Sequence, residues 1–75
     1  MNAIEAEVMV VARASSLVRD VKVEELEFEG KPLLQVPVDS YPVYDTGHAL
    51  EDLLRSIKRK VPQGYLLKVR LEFFI

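Results

Sequence analysis

The C-terminal part of the chain joins two hydrophobic periods that cannot share one element, and that junction constrains the fold more than any other feature. From Thr46 to Lys60 the apolar residues Ala49, Leu50, Leu53, Leu54 and Ile57 recur at steps of three and four, which sets them on one stripe of an amphipathic α-helix. After Val61-Pro62-Gln63-Gly64 the period becomes two. Leu67, Val69, Leu71, Phe73 and Ile75 alternate with Lys68, Arg70, Glu72 and Phe74, as along a half-buried β-strand. The residue before a proline avoids the α region, and glycine permits the reversal that follows. A helix therefore ends at Val61, and the chain is expected to finish inside a sheet.

The rest of the pattern is read around that unit. Ile4, Ala6, Val8, Val10 and Ala12 alternate with Glu5, Glu7, Met9, Val11 and Arg13, and the period of two predicts a first strand. Ala14 to Asp20 reads as a connection. Val21, Val23, Leu26 and Phe28 predict a second strand whose phase slips at Glu24-Glu25, the signature of a β-bulge. Glu29-Gly30-Lys31 turns the chain, and Pro32 to Val38 returns with Leu34, Val36 and Val38 on one face. Pro32 and Pro37 cannot donate to a ladder, so this third strand is expected to be short and at an edge. The expected fold is α+β, in the order β-β-β-α-β. A small, mostly antiparallel sheet carries one amphipathic helix on one face.

At 75 residues the chain is one domain, spanning 1–75. A domain this small hides only about 60% of the surface its unfolded chain exposes, so its core is thin. It has no cysteine to supply a disulfide or a thiolate metal site. Oligomerisation is then the stabiliser to expect, and part of the 49% hydrophobic content is expected at a subunit or partner contact. Glu5 and Glu7 near the start argue against a secretory signal, and no run reaches the ~20 apolar residues of a membrane span. The expected setting is cytoplasmic, with no membrane partner.

Candidate chemistry is sparse. His48, the one histidine, follows Asp45 by three residues, with Tyr41 and Tyr44 nearby. An oriented proton carrier would need a nucleophile or third group that is missing here, so helix capping by Asp45 is the better reading. Arg55, Lys58 and Arg59 share a helical face, and Lys68 and Arg70 on the following strand extend it into a candidate phosphate-binding patch. Against it stand a net charge of −2 and the plain suitability of cations for a helix C-terminus. Glu24, Glu25, Glu27 and Glu29 form an acidic cluster, read as a solvated strand face that protects an edge. No Gly-rich phosphate loop, HExxH or nucleophile elbow is present, so no enzyme, cofactor or metal is expected.

Residues 24 to 60 resemble the partial ribonuclease-H-like domain of HicB-type antitoxins, in a hairpin that leads through a loop into Thr-Gly-x-Ala-Leu-Glu-Asp-Leu at Thr46 to Leu53. That resemblance implies a partner-binding role without catalytic residues. The reading as a whole is a non-enzymatic interaction module, homodimeric, that binds a protein partner through a sheet edge or an uncovered sheet face. Val11, Leu66 and Phe74 would supply apolar contact, and Tyr41 and Tyr44 loop anchors. Nucleic-acid binding through Arg55, Lys58, Arg59, Lys68 and Arg70 is the alternative.

Overall fold

The structure, a computed structural model, describes residues 2–73. Phe74 and Ile75, and with them the expected end of the last strand, lie outside the described residues. The elements run α1 (Ala3–Arg13), β1 (Val18–Val21), β2 (Glu24–Phe28), β3 (Lys31–Ser40), α2 (Thr46–Lys60) and β4 (Leu66–Phe73). The α+β class holds, with two of the three strand pairings antiparallel, but the first element is a helix. No helix among the described residues is long and apolar enough to cross a membrane.

The first element is corrected because the segment satisfies two periods at once. Ile4, Val8 and Ala12 also fall at i, i+4 and i+8, and the helix buries Val8 and Ala12 while half-burying Ile4 and Val11. The cost is Val10, left 70% exposed. Asn2 decides between the periods. Its side chain accepts a hydrogen bond from the Glu5 amide at 2.9 Å, and Asn followed three residues later by Glu is a helix-start signal that alternation hides.

β3 is central, ten residues long, and paired on both sides. β1 and β2 lie antiparallel along one side, and β4 runs parallel along the other. Neither proline pushes it to the edge. Val21↔Val38, Glu24↔Gln35 and Phe28↔Lys31 keep one register, so β1 and β2 are a single run interrupted at Lys22-Val23. Lys22 donates its amide to the Pro37 carbonyl at 3.1 Å, but Pro37 has no N–H to return, and the ladder lapses there. Pro32 points its nitrogen to the other side, one residue before pairing with β4 begins at Leu33. Each missing donor falls where no acceptor waits.

The register also relocates the bulge. It lies between Val18 and Asp20, not at Glu24-Glu25. Alternation runs unbroken through the glutamates, and the apolar residues change sides instead. Val21 and Val23 are buried, whereas Leu26 and Phe28 share a face with Leu33 and Lys31 and are 45% and 54% exposed.

Both helices cover one sheet face. Leu53 and Ile57 of α2 and Val8 and Ala12 of α1 form one buried cluster with Leu34, Val36 and Val38, and Leu67, Val69 and Leu71 pack against it. Each large aliphatic side chain buried there contributes roughly 1.5–3 kcal/mol. α2 begins as expected, with Asp45 accepting from the His48 amide at 3.4 Å, and ends in Lys58, Arg59 and Lys60.

The β2–β3 turn has two residues, Glu29 at φ 51° and Gly30 at φ 78°. Two successive positive φ values define a type I′ turn, for which Asn-Gly is the favoured pair. Glu29→Asn should raise the unfolding free energy measured by urea titration by about several tenths of a kcal/mol, and Gly30→Ala should lower it by about 1–2 kcal/mol. Ile57→Ala, at a position with no exposed surface, should cost about 2–5 kcal/mol in the same measurement.

Candidate functional site

One face of the sheet has a helical layer; among the described residues, the other has no cover. Its side chains fall into rungs that cross three strands. Leu26, Leu33 and Leu66 form one rung and Glu24, Gln35 and Lys68 the next. Lys22, Pro37 and Arg70 follow, and Asp20, Asp39 and Glu72 form the far rung. Rungs on one face repeat every ~6.6 Å, so the face grades from apolar, through mixed charge, to acidic. Leu33 and Leu66 are half-buried by their neighbours on this face, and Leu26 is open at the edge.

The middle of the face is shaped by a hydrogen bond and ion pairs. Gln35 donates to Glu24 at 3.4 Å, and Arg70 pairs with Glu72 at 3.1 Å. Asp39 sits between Asp20 and Glu72, an arrangement that like charges disfavour. Arg19 offsets it by donating from Nε and Nη2 to Asp39 Oδ2, at 2.9 and 2.5 Å. Asp39 Oδ1 is buried with no hydrogen-bond partner. A shallow cleft of about 260 Å³ runs here between Asp20, Lys22, Glu24, Asp39, Arg70 and Glu72.

The structure places the sequence-derived candidates in different parts of the molecule. Leu66 stands on the uncovered face, in the leucine rung. Val11 does not: the expected strand is a helix, and Val11 is half-buried against the core on the opposite side of the sheet. Tyr41 is 48% exposed and Tyr44 stands wholly in solvent. Both follow the C-terminal end of β3, and Tyr41 lies about 26 Å along the strand from Leu33. Phe74 lies outside the described residues.

The basic residues do not form one patch. Arg55, Lys58 and Arg59 are exposed on α2, whereas Lys68 and Arg70 point away from the helical layer on the other side of the sheet. Arg55 pairs with Asp52 at 3.1 Å. His48 Nδ1 lies 2.6 Å from Asp45 Oδ2 at the exposed start of α2, with side-chain exposures of 80% and 63%. Asp45 is occupied in capping.

Leu26, Phe28 and Leu33 are the residues of this face that alternation assigned elsewhere or left unremarked. The register, rather than the composition, exposes them. Glu25 also has a role beyond solvation. It faces the helical side, where Asn2 Nδ2 donates to Glu25 Oε2 at 2.5 Å and the Tyr65 hydroxyl donates to Oε1 at 3.3 Å. It ties the starts of α1 and β4 to the edge strand. Desolvation of half-buried Tyr65, reinforced by the Glu25 carboxylate, pushes its phenol above the ordinary tyrosine range.

A raised folded-state value means that the Tyr65 contribution to stability is complete below the phenol's unfolded value and is lost as pH rises through the folded one. Absorbance titration at alkaline pH should show a late-ionising tyrosine component, and Glu25→Gln should move that component to lower pH.

No protein-family model matches the chain, and no curated protein does. Solved structures match in fold. A substituted form of the MamM C-terminal domain superposes with a TM-score of 0.70 at 15% identity, covering 100% of this chain and 99% of that one. A cadmium form has a TM-score of 0.68 at 16% identity, covering 100% and 99%. A copper form has a TM-score of 0.67 at 15% identity, covering 97% and 96%. The likeness spans both helices and the mixed sheet. The Thr46 to Leu53 segment that carries the HicB resemblance is, in this chain, an ordinary helix start built on Asp45 capping and a Thr46 hydroxyl that donates to the Val43 carbonyl at 2.9 Å.

Proposed function

We propose that the chain is a small non-enzymatic interaction module whose protein contact is the uncovered sheet face. The observation that carries this reading is the rung of Leu26, Leu33 and Leu66, extended by Phe28, on a face that no element among the described residues covers. A three-stranded apolar rung in water forfeits the burial that each leucine would otherwise gain. Apolar patches rimmed by charge mark interaction surfaces. Here the rim is Glu24, Lys68 and Arg70.

Leu66 keeps its assigned role as an apolar contact, joined by Leu26, Phe28 and Leu33. The placement of Arg55, Lys58 and Arg59 on one side of the sheet and Lys68 and Arg70 on the other removes the continuous basic surface on which phosphate binding rested. The MamM forms are named for copper, cadmium and nickel. Among the described residues of this chain, no group of three or more His, Cys, Asp or Glu side chains is arranged to hold a metal ion.

The test compares the tagged wild-type chain with Leu26→Asp and Leu66→Asp as bait in nuclease-treated native lysate that also contains a differently tagged wild-type chain. Retention of a protein by the wild type and its loss from both variants, with far-UV spectra unchanged, is the expected result. Capture that survives both substitutions would move the contact off this face. Capture seen only in a parallel untreated lysate would move nucleic-acid binding from the alternative to first place.

A further inference from the structure

We infer that the occupant of the uncovered face is a second copy of this chain, related by a two-fold axis that runs along β3 and passes by Leu33. The inference rests on the reading of this face as the contact surface and adds the partner and the geometry. Its basis is the order of chemistry along the rungs. A two-fold along the central strand of two sheets packed face to face lays β4 of each copy over β2 of the other and β3 over β3. Under that operation Leu26-Leu33-Leu66 meets its own reverse, leucine on leucine at every position. Glu24-Gln35-Lys68 also meets its reverse, so that Glu24 of each copy faces Lys68 of the other and Gln35 faces Gln35. A primary amide both donates and accepts, so the central pair is self-complementary. Two neighbouring rungs that satisfy the same axis are what an isologous dimer requires.

The other natural axis, across the strands through the leucine rung, fails on the same residues. It would carry the Glu24-Gln35-Lys68 rung over the Phe28 and Lys31 rung, setting Glu24 against Phe28 and Gln35 against Lys31. The two rungs beyond set the limit of the overlap, since this axis turns Lys22 toward Arg70 and acid toward acid. Packed sheets cross at about 30°, which inclines the axis about 15° to each β3; Asp39 lies about 20 Å along β3 from Leu33, so the two Asp39 positions part by about 10 Å sideways. With about 10 Å between the sheets they stand roughly 14 Å apart, beyond the ~8 Å screening length at physiological salt. The contact is thus centred on the leucine end and opens toward the carboxylates.

The experiment is a charge-reversal exchange read by analytical ultracentrifugation and by native mass spectrometry of mass-tagged chains. The wild type should form a dimer. E24K and K68E alone should each weaken self-association by roughly tenfold or more, because like charges then meet at two symmetric positions. An equimolar mixture of the two variants should form a heterodimer close to wild-type strength, since each substituted residue then faces its opposite on the other chain. Pairing within one chain cannot produce that rescue.

A monomeric wild type at high micromolar concentration would overturn the dimer while leaving the face open to another protein. A dimer that Leu26→Asp dissociates, but that E24K and K68E leave intact, would overturn the axis and retain the face. A dimer indifferent to all three would overturn both. Unchanged spectra for E24K and K68E, both substitutions of exposed side chains, would separate loss of association from loss of folding.

Discussion

The fold depends on the buried row Leu34, Val36 and Val38. These side chains lie on β3, the one strand among the described residues that pairs on both sides, and both helices and β4 close on them. A chain of this size has apolar surface enough for one well-filled layer contact, and it fills it on this side. α2 reaches that position because a parallel pairing of β3 with β4 requires a crossover, and the helix is the crossover. Covering one face and joining two parallel strands are therefore one structural act.

The second face follows from the same economy of elements. With α1 and α2 both committed to the core, the far side of β2, β3 and β4 is left to its own side chains. Charge manages most of it: Arg19 holds Asp39, Arg70 holds Glu72, and Gln35 reaches Glu24. Among the described residues, only the end near the β2–β3 turn is apolar. The graded face is more specific than a general exposure of hydrophobic residues, because its charged rung fixes how a partner sheet can be oriented while its leucine rung provides the area to bury.

Much of the architecture could be read without coordinates. The helix from Thr46 to Lys60, its Asp45 cap, the Gly30 turn and the strand after Gly64 all rest on local chemistry that no distant contact overrides. The N-terminal helix was hidden because its apolar residues obey both a period of two and a step of four, and only the Asn2 cap breaks the tie. Pro32 and Pro37 misdirected the topology for a related reason. A missing donor argues for an edge only when an acceptor is waiting, and here one proline faces past the start of β4 while the other sits at the interruption between β1 and β2.

The sequence by itself determined the α+β class, the boundary between helix and strand at Pro62, and the hairpin at Glu29-Gly30, since these follow from backbone conformation and short-range periodicity. Only the tertiary structure decided which way each strand faces and which strands are neighbours. Those depend on register, and register is a property of pairs. Leu26 and Phe28 alternate like core residues, yet pairing with Leu33 and Lys31 turns them to the uncovered side. Lys68 and Arg70 lie near the basic end of the helix in sequence, yet a strand that alternates beneath that helix must point them to the opposite face.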